Sequence, residues 1–409
     1  MRCAGIADAR GTVRASDSLL VQTTGARSRR VLAIGTQDDV RDHPAWASAE
    51  HHELPGKVVA PALVNAHAHL DLTHIGPQPM GEGGFAAWID MVRRGRLADD
   101  AAIAASVRSG VDMLLAGGTA AVGDIAGSVN GAPSLAPARV LDETGMSGVS
   151  YLEFFGLSAD GSPGVDAALE RAEAFNPESV RLGLSPHAPY SVSLGGYGRA
   201  RGAGLPMCTH LAESPSERAM LGEATGPIRT FLEGLGQWTP EIAAQFGTGK
   251  SPVQFTAAVL EGVLTVHLND LDEADIACLA QSGASAAYCP RASAYFGAPE
   301  AFGPHRYRDL LAAGVPVALG TDSVINLPAA DIVPRGICVL DEARLLHHRD
   351  GTDPSSLLEM LYVHGPSILG LQEQLLRPDS KVLGLIAVES HQGDAARALV
   401  VSQGPISFL

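Results

Sequence analysis

The chain has 409 residues, 46% of them apolar and 18% charged, enough to bury a large core and too apolar for a disordered chain. Its net charge of −16 argues against nucleic acid or an anionic membrane surface as partners, because neither attracts an acidic protein. The five cysteines form no CxxC pair and are odd in number, which points to a reducing, cytoplasmic compartment rather than a disulfide framework. No apolar signal-peptide core opens the sequence and no run of 18 apolar residues occurs, so neither a leader nor a transmembrane helix is expected.

In chain order, the first residues alternate short apolar runs with turns, and 18–22 and 30–34 read as antiparallel strands. The segment 381–402 reads the same way: VLGLIAV, a Gly393-Asp394 break, then ALVV as a further strand. Residues 1–57 and 380–409 are therefore expected to pair into one small β domain. Between them, strand-like runs at 58–64, 119–122, 148–154, 181–184, 207–210, 264–267, 286–289 and 315–319 alternate with helical patterns. The helical patterns include 85–96, 101–116, 165–175, 214–221, 272–280 and 306–313. Eight strands interleaved with helices predict an α/β fold, a (β/α)8 TIM-type barrel over 58–379, with a small β-sandwich from the two ends. The irregular stretch 222–253 is expected to be a loop or helical insertion over the barrel mouth. With it, 73–85 and 191–205 are expected to be the loops that read the substrate.

The chemistry-bearing residues sit at or just after the ends of these apolar runs, which in a barrel is the face where active sites are built. His67 and His69 follow VVAPALVNA; two residues apart on a strand point the same way, so both imidazoles can grip one ion. His74 nearby reads as a solvated loop residue. His210 ends its run in CTHLAES, and Glu213 in the next turn can share the site as an acid/base or simply favour a helix N-terminus. His267 ends VLTVH and His187 follows a strand in LSPHAPYSVS. Asp322 follows VPVALGTDS; buried there it needs a partner, either a metal or a histidine.

The runs GKVVAPALVNAHAHLDLTHI, LSPHAPYSVS, THLAES, VHLND, YCPRASAYFG and ALGTDS, in that order, resemble the amidohydrolase superfamily. Within it they are most similar to the branch of metal-dependent deaminases and triazine chlorohydrolases. The first run with FAAWIDMVRRGR, and YCPRASAYFG, look like aminodeoxyfutalosine deaminases. The resemblance implies that His67, His69, His210 and Asp322 are metal ligands and that Glu213 is the proton shuttle. His267 would steady the oxygen added to the attacked carbon, and His187 would contact substrate. Trp88 sits where relatives place an aromatic over the substrate ring; packing as a helix Trp is its other reading. The implied activity is hydrolytic deamination of an amino-substituted heterocycle, an adenine nucleoside-like compound such as aminodeoxyfutalosine, adenosine or methylthioadenosine. Guanine or cytosine deamination, triazine hydrolysis and a catalytically silent barrel are the alternatives. One divalent ion is implied, zinc, with iron compatible with the same donors; a homodimer is a common state of relatives.

Many binuclear members bridge their ions with a modified Lys on the fourth strand. This chain has no Lys between His69 and His187, which excludes such a bridge and favours one ion. Glu153, in YLEFFG, reads as a buried carboxylate hydrogen-bonded to a neighbour rather than as a ligand. Three positions depart from the family pattern. The usual Pro-Gly-Leu is Pro61-Ala62-Leu63, the glutamate after HxH-Leu is Asp71, and the C-terminal Gly-Lys-x-Ala-Asp is reduced to Gly393-Asp394-Ala395-Ala396.

Overall fold

Two four-stranded parallel sheets carry the centre of the chain. The structure, a computed structural model, describes residues 1–13, 16–81, 83–129, 131–332, 336–390 and 394–409. In the first sheet β1 (Leu63–Ala68), β2 (Thr119–Ala126), β3 (Ser147–Phe154) and β4 (Val180–Pro186) run in the order β4-β3-β2-β1. In the second, β5 (Cys208–Leu211), β6 (Leu264–His267), β7 (Ser285–Tyr288) and β8 (Val317–Leu319) follow in chain order. Isolated bridges tie the two sheets together on both sides, Leu184 to Met207 and Ala68 to Asp322. Every residue of β1 and β2 is buried, which is why both read as unbroken apolar runs rather than alternating ones.

Helices fall between the strands as the periodicity predicts, among them Gly84–Gly95, Asp100–Ala116, Gly164–Glu173, Pro215–Glu223 and Glu273–Ser282. The protein is thus α/β. The insertion at 222–253 is helical: Pro227–Gly234, Pro240–Ala243 and Pro252–Thr256 each begin on a proline, whose missing N–H costs nothing in the first turn. Leu194–Gly202, expected as loop, is a helix capped by Ser193, which accepts the Gly196 N–H at 3.2 Å. Its four glycines (LGGYGRARG) hide it from any propensity argument.

Strands from both chain ends share one eight-stranded mixed sheet. Its path runs Lys381–Val382, Arg29–Gly35, Ser18–Thr23, Arg2–Asp8, Glu53–Pro61, Leu385–Glu389, Ile406–Phe408, with Gly11–Thr12 paired to Arg2–Asp8. The run expected as one strand at 58–64 is two. Pro61 ends the strand in this sheet, the Ala62 N–H donates to Gly384 O, and the Leu63 N–H donates to Gly118 O in the neighbouring layer. Burial is continuous across the join, so the sequence pattern carries no break. Ala62, the first departure from the family pattern, is fully buried against Gly384.

ALVV is not a strand. It belongs to the helix Ala395–Val401, capped by Asp394, which accepts the Arg397 N–H at 2.9 Å. The helix buries Ala395, Ala396, Ala398, Leu399 and Val400. Four apolar residues cannot set a period, and the tertiary partner decides. Gly393 lies outside the described residues. Among the described residues, no helix is long and apolar enough to cross a membrane.

Candidate active site

The candidate residues converge where β1, β5, β6 and β8 end. His67 and His69 stand on and after β1, His210 on β5, His267 ends β6, and Asp322 follows β8. Their rings and carboxylate form one buried cluster, none more than 8% exposed. His69 Nε2 is 3.2 Å from His210 Nε2, and Asp322 Oδ1 is 3.6 Å from His67 Nε2 and 3.4 Å from His69 Nε2. Ring nitrogens of His67, His69 and His210 all lie within 4.8 Å of one another.

The backbone is bent to aim these side chains. Ala212, His267, Leu268 and Asp322 have positive φ, between 52° and 79°. Left-handed backbone costs a residue other than Gly roughly 1–3 kcal/mol and persists where surrounding contacts enforce it. At Asp322 the enforcing contacts are visible: the Thr321 and Asp322 N–H groups both donate to His67 O, at 3.0 and 3.1 Å. Asn65 completes the clasp, its Nδ2 donating to Thr321 Oγ1 and its Oδ1 accepting the Thr321 N–H. Asn326 Nδ2 donates to Asp322 Oδ2 at 2.6 Å, leaving Oδ1 to face the histidines. At Glu213, the turn is held by Glu217, whose carboxylate accepts the Ala212 and Glu213 N–H groups at 3.1 and 2.8 Å. Asn269 Nδ2 donates to Glu213 O at 3.0 Å.

Electrostatics sort the cluster into neutral bases and one anion. Burial holds His69 and His267 well below the usual imidazole range, and burial with the charges of His187 and His67 pushes His210 down to about 3. Burial raises Asp322, but the neighbouring imidazoles of His67, His69 and His267 outweigh it and hold the carboxyl below its ordinary range. Glu213 goes the other way: burial, then the charges of Asp322 and Glu217, push it well above a normal carboxyl.

Both ring nitrogens of His67 and Nδ1 of His69 are buried without a hydrogen-bond partner. Buried polar atoms are rarely left so. His210 Nδ1 is 3.0 Å from His187 O, which fixes the ring and frees Nε2. Three imidazoles and one carboxylate are a donor set suited to a divalent cation of the zinc or iron kind, and these residues could hold it.

A cavity of about 680 Å³ opens onto the cluster, lined by His69, His187, His210, Glu213, His267 and Asp322. Trp88 lines it from the helix Gly84–Gly95, its ring edge-on to Phe296 at 4.9 Å. His187 is held by Ser191 Oγ at 2.8 Å from its Nδ1. The 222–253 insertion supplies an apolar wall of Ile228, Phe231, Leu232, Leu235 and Ile242. Of 191–205 only Ser191 lines the cavity, because its helix packs Tyr197 and Ala200 into the core behind. His74 is exposed, as expected, yet bonded: Nε2 lies 2.8 Å from Gly95 O.

Sequence reasoning missed Arg96. Its guanidinium is buried between two carboxylates, Nη1 at 2.9 Å from Asp71 Oδ2 and Nη2 at 2.9 Å from Glu153 Oε2. A Cβ on Gly127 would overlap this guanidinium, so the slot requires glycine there. Glu153 is thus hydrogen-bonded to a neighbour, as its sequence reading has it, and Asp71 finds its partner. The signal in the sequence was the unmatched pair of buried carboxylates.

Known proteins resemble this chain in sequence and in fold. An aminodeoxyfutalosine deaminase of Deinococcus radiodurans is 32% identical over 373 residues, covering 85% of this chain and 81% of its own. A Helicobacter pylori aminofutalosine deaminase, solved in complex with methylthio-coformycin, superposes with TM-score 0.73 at 17% identity, covering 99% of this chain and 97% of its own. An adenosine deaminase from Xanthomonas campestris with bound zinc superposes with TM-score 0.71 at 16% identity, over 98% of this chain and 88% of its own. At such identities the two solved structures speak for the fold alone. The model of the amidohydrolase family matches residues 58–375, and this chain belongs to that family.

Proposed function

We propose that the protein is a metal-dependent hydrolase that deaminates an adenine nucleoside-like compound, releasing ammonia from a ring carbon. Support comes from the cluster at the cavity floor: three buried imidazoles and Asp322 beside Glu213, whose carboxyl burial and the charges of Asp322 and Glu217 push upward. The names of the relatives, deaminases of adenine-type nucleosides, point to the same chemistry. On this reading His67, His69, His210 and Asp322 hold one divalent ion, zinc by its donors and by the zinc-bound neighbour. The two parallel sheets, bridged on both sides, are read as one (β/α)8 barrel over 58–379. The segments 1–57 and 380–409 are read as the small β-sandwich domain beside it.

A bound divalent cation supplies Lewis acidity that makes water nucleophilic near neutral pH. The side chains do the rest. Asp322, ionised, takes a proton from the attacking water and aims it at the carbon bearing the amino group. Glu213, whose burial favours its acid form, gives its proton to the adjacent ring nitrogen, takes the proton of the newly added hydroxyl and passes it to the departing amine, and is restored by the proton that Asp322 took from water. The C–O bond forms first and the C–N bond to the amino group then breaks, so water and substrate become a carbonyl and ammonia. His267, within reach of Glu213, steadies the new oxygen. His187 and Trp88 bind the substrate. The test is an ammonia-release screen of metal-loaded protein over adenosine, 5′-methylthioadenosine, guanine, cytosine and a chlorotriazine. Release from the nucleosides supports the reading; release from the free bases or triazine alone contradicts it.

A further inference from the structure

Glu153 is more than a structural carboxylate. It is fully buried on β3 yet lines the cavity, and only one of its oxygens is used. Oε2 is bonded to Arg96, whereas Oε1 is buried without a hydrogen-bond partner. A carboxylate oxygen of Glu153 and one ring nitrogen each of His187 and His210 lie within 4.8 Å of one another, so this half-satisfied carboxylate sits beside the reaction centre. His187 is anchored through Nδ1 by Ser191, which leaves its other ring nitrogen to the cavity. The slot over Gly127 and the second ion pair to Asp71 hold the Arg96 guanidinium in place. Arg96 therefore fixes the direction in which Glu153 points.

We infer that Glu153 and His187 bind the sugar hydroxyls of the substrate, with Arg96 as the positioning residue for Glu153. A hydroxyl is the donor this acceptor lacks: it is neutral, donates to Oε1 and accepts from an imidazole N–H. A second cation is disfavoured there, because the Arg96 guanidinium already sits 2.9 Å from Glu153. The inference rests on the nucleoside-deaminase reading and narrows it, since a free base offers no such hydroxyl.

The experiment compares adenosine with 2′,3′-dideoxyadenosine in the metal-loaded wild type, Glu153→Gln and Asp71→Asn. Removing a hydrogen bond to a charged group costs about 10- to 100-fold. Wild type is expected to prefer adenosine by that factor in kcat/KM, mostly through KM. Glu153→Gln is expected to lose most of the preference, read as the ratio of kcat/KM for the two substrates in the same preparation. Asp71→Asn, which loosens Arg96 from the other side, is expected to slow both substrates and keep a larger share of the preference. An unchanged preference in Glu153→Gln, or none in wild type, would overturn the contact. So would metal analysis showing two ions per chain that fall to one in Glu153→Gln. No ammonia from any adenine nucleoside, with ammonia from a free base, overturns the parent reading and this one together.

Discussion

His267 Nε2 lies 3.4 Å from Glu213 Oε1, both side chains buried at the cavity floor. Burial pushes the imidazole down and, with the charges of Asp322 and Glu217, the carboxyl up, so Glu213 holds its proton more tightly than a free carboxyl. That is the state a general acid needs before substrate arrives. Glu213→Gln keeps the shape and removes the proton. Turnover is expected to fall about 10²–10⁴-fold while metal content per chain stays the same, as read by elemental analysis beside steady-state kinetics. Normal turnover in that variant would remove Glu213 from the mechanism.

Arg96 neutralises Asp71 and Glu153 in a setting with little water. Arg96→Met keeps the stem and strands both carboxylates. Breaking a buried pair by removing one partner costs roughly 3–5 kcal/mol, so the midpoint of chemical denaturation is expected to drop sharply. Gly127→Ala, which intrudes on the guanidinium, is expected to act in the same direction. A melting profile equal to wild type in both variants would show that the slot is not needed.

Asp124 on β2 accepts the Leu70 N–H at 3.0 Å through Oδ1, and its Oδ2 is buried without a partner. Burial, partly opposed by that bond and reinforced by Asp71, pushes its pKa up to about 8. The unfolded chain releases this proton at an ordinary carboxyl value, so above it the native state binds more protons than the unfolded one. The stability contributed by Asp124 is therefore complete below about pH 4 and lost as pH rises through about 8. Asp124→Asn keeps the acceptor and removes the titration. Relative to wild type it is expected to gain stability progressively from pH 4 to 8 and level off above, in denaturant titrations across that range. Parallel profiles for the two proteins would contradict the assignment.

Phe155 and Leu235 are the large apolar side chains that stand exposed among the described residues, at 41% and 44%, and both line the cavity. Apolar surface left open inside a cleft marks where a ligand covers it. Phe155→Ala is expected to raise KM for 5′-methylthioadenosine roughly tenfold and to change kcat little, since the ring offers apolar contact and neither a proton nor a charge. A fall in kcat at unchanged KM would place Phe155 elsewhere in the cycle.

The site was legible because its residues end apolar runs. His67, His69, His210, His267 and Asp322 each follow a stretch of buried strand, and the chain brings them together as that placement predicts. The second ring of support was not legible. Arg96 lies 25 residues from Asp71 and 57 from Glu153, and no local pattern pairs them. The positive φ at Ala212 and His267 is likewise imposed by neighbouring strands and not by residue type. Glu217 was within reach of sequence reasoning, since Ser214 and Glu217 have capping-box spacing. The C-terminal ALVV shows the opposite failure, a strand-like composition overruled by an Asp394 cap and a helical burial pattern.

Deamination by this cluster with a bound divalent ion is read out as ammonia release from adenosine and 5′-methylthioadenosine. The assay uses protein stripped by chelator, then reloaded with one equivalent of zinc. Stripped protein is expected to release no ammonia, to recover on addition of one ion per chain, and to stay inactive as Asp322→Asn. Equal ammonia release before and after stripping, or full recovery in Asp322→Asn, would contradict it.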